Sequence, residues 1–248
     1  MNAIIGHTGF VGSNIIEKMR FDYMYNTKNI NEISNHDYEL VVCAGMSSLK
    51  WYANKNPKED LENINNLIDC LRSVKCNKFI LISTSDVYGK IHNNPNNIKC
   101  NKNHQPYGYN RYHAEVEIEK IFGDKLIIVR LPSIFGENLK KNILYDLIHD
   151  ELFNPLNLCD IRQWYDVRDL SDDIKFVLKN QISEINFFSE PISMKEIVDE
   201  FFPDVDSNKL YYDCDNALKY DLNTAYDLLN YWCDKNKIME KLKNHLKC

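Results

Sequence analysis

Nowhere in the 248 residues do apolar side chains run for the ~18 consecutive positions that a membrane-crossing helix needs, so no spanning segment and no membrane partner is expected. The N-terminus opens on Ala3, Ile4 and Ile5 but meets Gly6 and His7 at once. It lacks the basic start and apolar length of a secretory signal, and a cytoplasmic location is expected. Positive charge is not in surplus: 30 Lys and Arg stand against 36 Asp and Glu, a formal charge of −6. That balance argues against nucleic acid as a partner. None of the eight cysteines (Cys43, Cys70, Cys76, Cys100, Cys159, Cys214, Cys233, Cys248) forms a Cys-x-x-Cys pair. Disulfide frameworks belong to much shorter secreted chains, so all eight are read as reduced thiols. No His, Cys, Asp or Glu group has the spacing of a metal site, and no metal is expected. Internal repeats are absent, and the one low-complexity stretch, Asn93 to Asn103, reads as a surface loop.

What is present is ordinary for a soluble enzyme, with 44% hydrophobic and 27% charged residues. The length suffices for one substantial core, or one core with a smaller lobe. Ala3-Ile4-Ile5 reads as a strand, a glycine turn follows, and Ile15, Ile16 and Met19 give helical spacing from Ser13 to Arg20. Tyr23 to Tyr25 reads as a second strand. Leu40 to Gly45 and Phe79 to Thr84 are continuous apolar runs, as parallel strands covered on both faces require. Leu61 to Val74 and Tyr112 to Phe122 read as helices, and Leu126 to Arg130 as another strand. Strands alternating with helices predict an α/β fold with a doubly wound parallel sheet of the Rossmann type. Beyond Pro132 the pattern loosens. Ile182 to Phe188 can form a strand, Ser193 and Glu196 make a capping box, and Leu222 to Leu246 has helical spacing. We expect a dinucleotide-binding domain over 1–155 and a small substrate lobe over 156–248, interleaved with it.

Gly6, Gly9 and Gly12 form G-x-x-G-x-x-G between a strand and a helix. One glycine permits the tight bend, one lets backbone approach a pyrophosphate, and one lets helix and strand pack closely. The phosphates then meet the unpaired N–H groups of the helix N-terminus. A purely structural turn is the competing reading. The strand–turn–helix context favours a dinucleotide. An NAD site usually places Asp or Glu after the second strand to hold ribose hydroxyls. Here Asn26 to Asn29 hold no carboxylate, and Lys28 offers a cation to a 2′-phosphate. NADP(H) is therefore favoured over NAD(H), against the alternative that Lys28 is a solvated surface lysine.

Four further segments go beyond a cofactor fold. They are Ser83-Thr84-Ser85-Asp86-Val87-Tyr88-Gly89, Pro106-Tyr107-Gly108-Tyr109-Asn110-Arg111 leading to Ala114-Glu115, Arg130-Leu131-Pro132 through Phe135-Gly136, and Arg162 to Leu170. In order and spacing the chain resembles the extended short-chain dehydrogenases, the NAD-dependent epimerase/dehydratase family, from residue 1 to about 200. The resemblance implies that Tyr107 is the acid/base that exchanges the hydroxyl proton while hydride moves to or from a nicotinamide. Thr84 would hydrogen-bond the same substrate oxygen. It places the cofactor against Gly6, Thr8, Gly9, Phe10, Val11 and Gly12, against Asn26 and Lys28, against Cys43, Ala44 and Gly45, and against Tyr107, Arg111 and Pro132. Ser85, Asp86 and Arg162 would touch substrate, Arg162 gripping a nucleotide diphosphate as a planar bidentate cation can; a surface salt bridge is the plainer alternative.

A phenol with pKa ~10 works near neutrality only beside a cation. The family uses lysine one helical turn on; here that position is Arg111, which stays protonated and cannot relay a proton. Sugar 4,6-dehydratases of this family carry Asp-Glu after the threonine, where this chain has Ser85-Asp86, which argues against dehydration. The implied activity is reduction or epimerisation of a keto-sugar nucleotide, in a chain expected to pair as a homodimer. Two rivals stand beside it: a non-catalytic NADP-binding sensor or scaffold with a degenerate site, and a short-chain enzyme for some other alcohol or ketone. The first is favoured by Arg111 and the second by the small C-terminal lobe. A bare surface helix start at Tyr107 and Arg111 is the structural alternative.

Overall fold

The buried apolar runs of the sequence become the middle strands of one sheet. In the computed structural model residues 1–89, 104–224 and 229–246 are described; the Asn93 to Asn103 stretch lies outside them. Strands β1 (Asn2–Ile5), β2 (Tyr23–Tyr25), β3 (Asp37–Cys43), β4 (Lys75–Thr84) and β5 (Leu126–Leu131) join an edge strand, Glu184–Asn186, in the order edge, β5, β4, β3, β1, β2. The pairings β1–β2, β1–β3, β3–β4 and β4–β5 are all parallel, with Ile5 opposite Cys43, Val42 opposite Ile80 and Ile82 opposite Val129. Ile4, Val41, Val42, Phe79, Ile80, Leu81 and Val129 are completely buried. Each contributes about 1.5–3 kcal/mol by leaving water, which is why these strands read as unbroken apolar runs rather than alternating ones. The chain leaves β1 for β2 on one side and returns as β3 on the other. The carboxyl ends of β1 and β3 therefore flank the switch point where open α/β sheets receive ligands.

Helices α1 (Phe10–Lys18), α2 (Lys50–Lys55), α3 (Pro57–Leu71) and α4 (Pro106–Phe122) follow these strands. Pro57 and Pro106 stand in the first turns of α3 and α4, where a missing N–H costs nothing. Both helices thus begin several residues before their apolar stripes. Ile64, Ile68 and Leu71 of α3 face the sheet. A buried ionic knot joins β4, β5 and α4. Arg130, with no exposed surface, donates to Glu115 at 2.8 and 2.7 Å, to the Tyr88 hydroxyl at 2.8 Å and to Glu184 at 2.6 Å. Ser83 Oγ donates to Glu115 Oε1 at 2.6 Å. The carboxyl end of β4, which carries Thr84, is fixed against α4, which carries Tyr107.

Chain contacts group into two compact units. The described residues of the first are 1–89, 104–131 and 167–185; those of the second are 132–166, 186–224 and 229–246. In the second, Ser133–Phe135 pairs in parallel with Trp164–Asp166, Ile161–Arg162 runs antiparallel to Ile192–Ser193, and Leu156–Asn157 pairs with Leu210–Tyr211. Phe135, Leu144, Trp164, Ile192, Met194, Ile197 and Leu242 form its core. The Ser193–Glu196 capping box is present at the start of helix Met194–Phe201.

Two expectations are corrected here. The helix anticipated over Leu222 to Leu246 spans only Lys235–Leu246. The Leu222 N–H and C=O are taken by the Gln163 side chain, Thr224 N–H bonds Asn230, and Trp232 N–H bonds the Phe188 carbonyl. Tertiary hydrogen bonds override the periodicity there; Ala225 and Leu228 lie outside the described residues. Nor are all the cysteines free, since Cys159 and Cys214 form a disulfide. The Asn157 side chain bonds Cys159 N–H at 3.1 Å, Asp213 N–H at 3.0 Å and the Asp213 carbonyl at 2.8 Å, and so draws the two segments together. Cys43, Cys70, Cys76 and Cys233 are not part of a disulfide.

Candidate functional site

In the first unit β1 is followed directly by Gly6, whose φ of +85° favours glycine. Gly6 N–H bonds the Tyr25 carbonyl at 2.8 Å, and Gly9 N–H returns to the Gly6 carbonyl at 3.0 Å. A Cβ on Gly12 would strike that same carbonyl, so the helix approaches the strand only because Gly12 has none. Gly9 is the N-cap of α1 and no side chain caps the helix, so its first N–H groups keep their positive end for a ligand. Thr8 is exposed, Phe10 buried and Val11 half-buried around this turn. His7 Nδ1 lies 3.1 Å from the Tyr25 carbonyl and braces the turn.

After β2, Asn26 Oδ1 accepts from Lys28 N–H, and Asn29 Oδ1 from Asn26 N–H, both at 2.8 Å. This closed turn leaves Lys28 exposed. After β3, Ala44 N–H bonds the Ile5 carbonyl at 2.9 Å, and Gly45 packs on the Ile5 side chain. Burial pushes the neighbouring Cys43 thiol up to about 11, so it stays neutral.

The residues expected to form the acid/base group come from three elements. Thr84 caps the short 3-10 turn Ser85–Tyr88, its Oγ1 accepting from Asp86 N–H at 3.2 Å. Ser85 is buried. The Asp86 carboxylate takes the Lys50 ammonium of α2 at 2.5 Å and lies 3.4 Å from Thr84 Oγ1. On α4, Tyr107 is buried, and its N–H donates to Asn54 Oδ1 at 3.0 Å. The Arg111 guanidinium carbon sits 4.2 Å from the centroid of the Tyr107 ring. Burial is the largest influence on the phenol and pushes it up to about 12; Arg111 pulls it down, and Asp86 and Asp60 push it further up.

Thr84, Asp86, Tyr107 and Arg111 therefore stand together in the first unit. Lys50 and Asp60, which the sequence did not single out, stand with them. Asp60 follows Pro57 by three residues in the first turn of a helix, where an acid reads as a dipole partner; nothing local marks it as anything more. Pro132 and Arg162 belong to the second unit. There Arg162 Nη2 pairs with Asp160 at 3.2 Å, while its Nε is buried without a protein partner. Among the described residues no group of three or more His, Cys, Asp or Glu could hold a metal, and no helix is long and apolar enough to cross a membrane.

The model of the NAD dependent epimerase/dehydratase family matches residues 19–186. The chain belongs to that family. The match takes in Thr84, Tyr107, Arg111 and Arg162 and leaves the glycine turn just outside it. No curated protein matches the chain in sequence. Among solved structures, UDP-glucose 4-epimerase from Thermotoga maritima, with UDP-glucose, is similar at 15% identity and a TM-score of 0.75, over 100% of this chain and 98% of that one. The dTDP-glucose 4,6-dehydratase of Streptomyces venezuelae, with NAD bound, is 14% identical with a TM-score of 0.74, over 100% and 96%. The dTDP-4-dehydrorhamnose reductase of Bacillus anthracis, in complex with NADP, is 14% identical with a TM-score of 0.65, over 99% and 96%. The shared architecture is the Rossmann fold, as the sequence pattern implied.

Proposed function

We propose that this epimerase/dehydratase family member is an NAD(P)H-dependent oxidoreductase that reduces a keto-sugar nucleotide in the cytoplasm, with epimerisation of such a sugar as the nearest alternative. One observation carries the reading: a buried tyrosine under a guanidinium, with Asp86 acting both on the phenol and, at 3.4 Å, on the threonine hydroxyl at the carboxyl end of β4. The residues fit a dinucleotide. The uncapped α1 N-terminus and the close approach at Gly12 form a cradle for a pyrophosphate. When bound, the nicotinamide supplies the hydride.

Tyr107 then gives its phenol proton to the carbonyl oxygen, and Thr84 donates a hydrogen bond to the same oxygen. Ionisation near 12 keeps that proton on Tyr107 throughout the neutral range, which suits an acid that reduces a ketone better than a base that begins an oxidation. Arg111 stabilises the phenolate left behind and holds the ribose. Ser85 cannot serve as an acid, and Asp86 is committed to Lys50, so water loss is disfavoured. Arg162, with its Nε still to be bonded, suits a diphosphate. The lack of a carboxylate from Asn26 to Asn29 and the exposed Lys28 support NADP(H).

The test is NADPH consumption with a panel of keto-sugar nucleotides. Consumption that is lost in Tyr107→Phe is the expected result. Cofactor binding without turnover across the panel would support the sensor reading, and binding of neither cofactor would remove both.

A further inference from the structure

Asp60 stands in the first turn of α3 with a side chain only 6% exposed. Its Oδ2 accepts from Arg111 Nη1 and from Asn110 Nδ2, the latter at 2.8 Å. Arg111 Nη2 donates to the Ser47 carbonyl. Two guanidinium nitrogens are thus tied to two separate parts of the chain, while Nε is buried without a protein partner. A planar fork held at two points has one orientation, whereas a lysine ammonium is a point charge on a flexible stem. A buried guanidinium lacking its carboxylate would be strongly destabilised.

We propose that Asp60 is a positioning residue for the reaction, holding the Arg111 guanidinium across the Tyr107 ring and making the arginine a fixed cation. The inference rests on the reading of Arg111 as the cation of the cofactor site. It makes Asp60 and Arg111 one functional unit: the arginine serves in the lysine position because the aspartate pins it.

The test is a double-mutant cycle in cofactor affinity, which needs no knowledge of the sugar. NADP⁺ and NAD⁺ are titrated calorimetrically into the wild-type chain, Asp60→Asn, Arg111→Ala and the double variant, each checked for native circular dichroism. Asp60→Asn keeps the size and one acceptor oxygen while removing the charge. It should weaken the tighter-binding cofactor by roughly tenfold, or ~1.4 kcal/mol. Arg111→Ala should weaken it at least as much, and the double variant no more than Arg111→Ala alone, since residues that act through one another are not additive. Losses that multiply would overturn the proposal, as would wild-type affinity in Asp60→Asn alone, and both leave the Arg111 reading standing. Wild-type affinity in Arg111→Ala would instead remove that reading. If Asp60→Asn does not fold, Asp60→Glu, which keeps the charge but moves it, enters the same cycle with the same expectations.

A second readout separates positioning from bulk structure. The phenol of Tyr107 faces Arg111 from its own helix, Asp60 from α3, and Asp86 from the turn after β4, with Lys50 of α2 paired to Asp86. Loss of the Asp60 charge alone would let the phenol ionise at lower pH. Release of Arg111 removes a larger influence of opposite sign. Tyrosinate absorbance, taken as the difference from the matching Tyr107→Phe protein at a fixed alkaline pH, should therefore fall in Asp60→Asn. A rise would mean that Arg111 stays in place unaided, and would overturn the proposal.

Discussion

The guanidinium carbon of Arg111 lies 4.2 Å from the centroid of the Tyr107 ring, one turn further along α4. The cation faces a phenol that burial has already driven up to about 12. Without Arg111 the phenolate would be harder still to form. Under the proposed function, the pair would favour the reductive direction.

If Tyr107 is the proton donor, Tyr107→Phe should cut NADPH-dependent turnover by ~10²–10⁴-fold, the usual worth of general acid–base catalysis. Cofactor affinity should barely change, since the ring under Arg111 remains. The pH dependence follows from the same group. Reduction needs the protonated phenol, which persists at every pH well below 12, so Tyr107 should impose no limb on the reductive rate between neutrality and mild alkalinity. Oxidation needs the phenolate, so the reverse rate should climb about tenfold per pH unit over that range. Stopped-flow rates in both directions decide it, and unchanged turnover in Tyr107→Phe would end the assignment.

Lys28 bears on cofactor choice. It is exposed at the end of β2, where no carboxylate opposes a 2′-phosphate. An exposed ion pair is worth only ~0–1 kcal/mol, or somewhat more where partly buried. The expected preference for NADP(H) over NAD(H) is accordingly modest, roughly tenfold. Lys28→Ala should erase most of it in a calorimetric comparison of the two cofactors. Tighter NAD(H) binding in the wild-type chain would discard the role given to Lys28.

The Cys159–Cys214 bond closes a loop whose ends are 55 residues apart. Chain-entropy reasoning assigns such a loop roughly 4 kcal/mol, against which native strain and residual unfolded structure can subtract. A dithiol reductant, or Cys159→Ser with Cys214→Ser, should lower the midpoint of thermal unfolding by several degrees. Alkylation with mass spectrometry should find both thiols protected before reduction. Thiols free as purified, with no change in midpoint on reduction, would mean that the bond contributes nothing.

The fold was legible because its signals are local. Ile4, Val41, Val42, Ile80, Leu81 and Val129 are buried on both faces of a parallel sheet, and such strands announce themselves as apolar runs. The Gly6–Gly12 turn and the Ser193–Glu196 box are fixed by spacing alone. The site was legible in part. Thr84, Asp86, Tyr107 and Arg111 lie in motifs, but Lys50 and Asp60 reach them only through tertiary contacts, from helices that present ordinary surface patterns in sequence. Long separation also hid the Cys159–Cys214 bond and the Gln163–Leu222 bonds that keep the segment from Leu222 to Thr224 out of a helix.

Lys50 offers the last prediction. Its ammonium lies 2.5 Å from Asp86 Oδ1, and the Asp86 carboxylate in turn stands 3.4 Å from Thr84 Oγ1 and pushes the Tyr107 phenol upward. Lys50 thus neutralises Asp86, one of the two acids, with Asp60, that oppose phenolate formation. In Lys50→Met the stem is retained and the charge is lost. The unbalanced Asp86 should then hold the Tyr107 proton more firmly, and the two reaction directions should respond differently. Oxidation at fixed pH should slow several-fold, because less phenolate is present. Reduction should change far less, because the phenol was already protonated. Asp86→Asn in the Lys50→Met background should recover the oxidative rate, since removing the acid removes the need for its partner. Equal slowing in both directions, with no recovery in the double variant, would show that Lys50 supports the fold of α2 and does not tune the tyrosine.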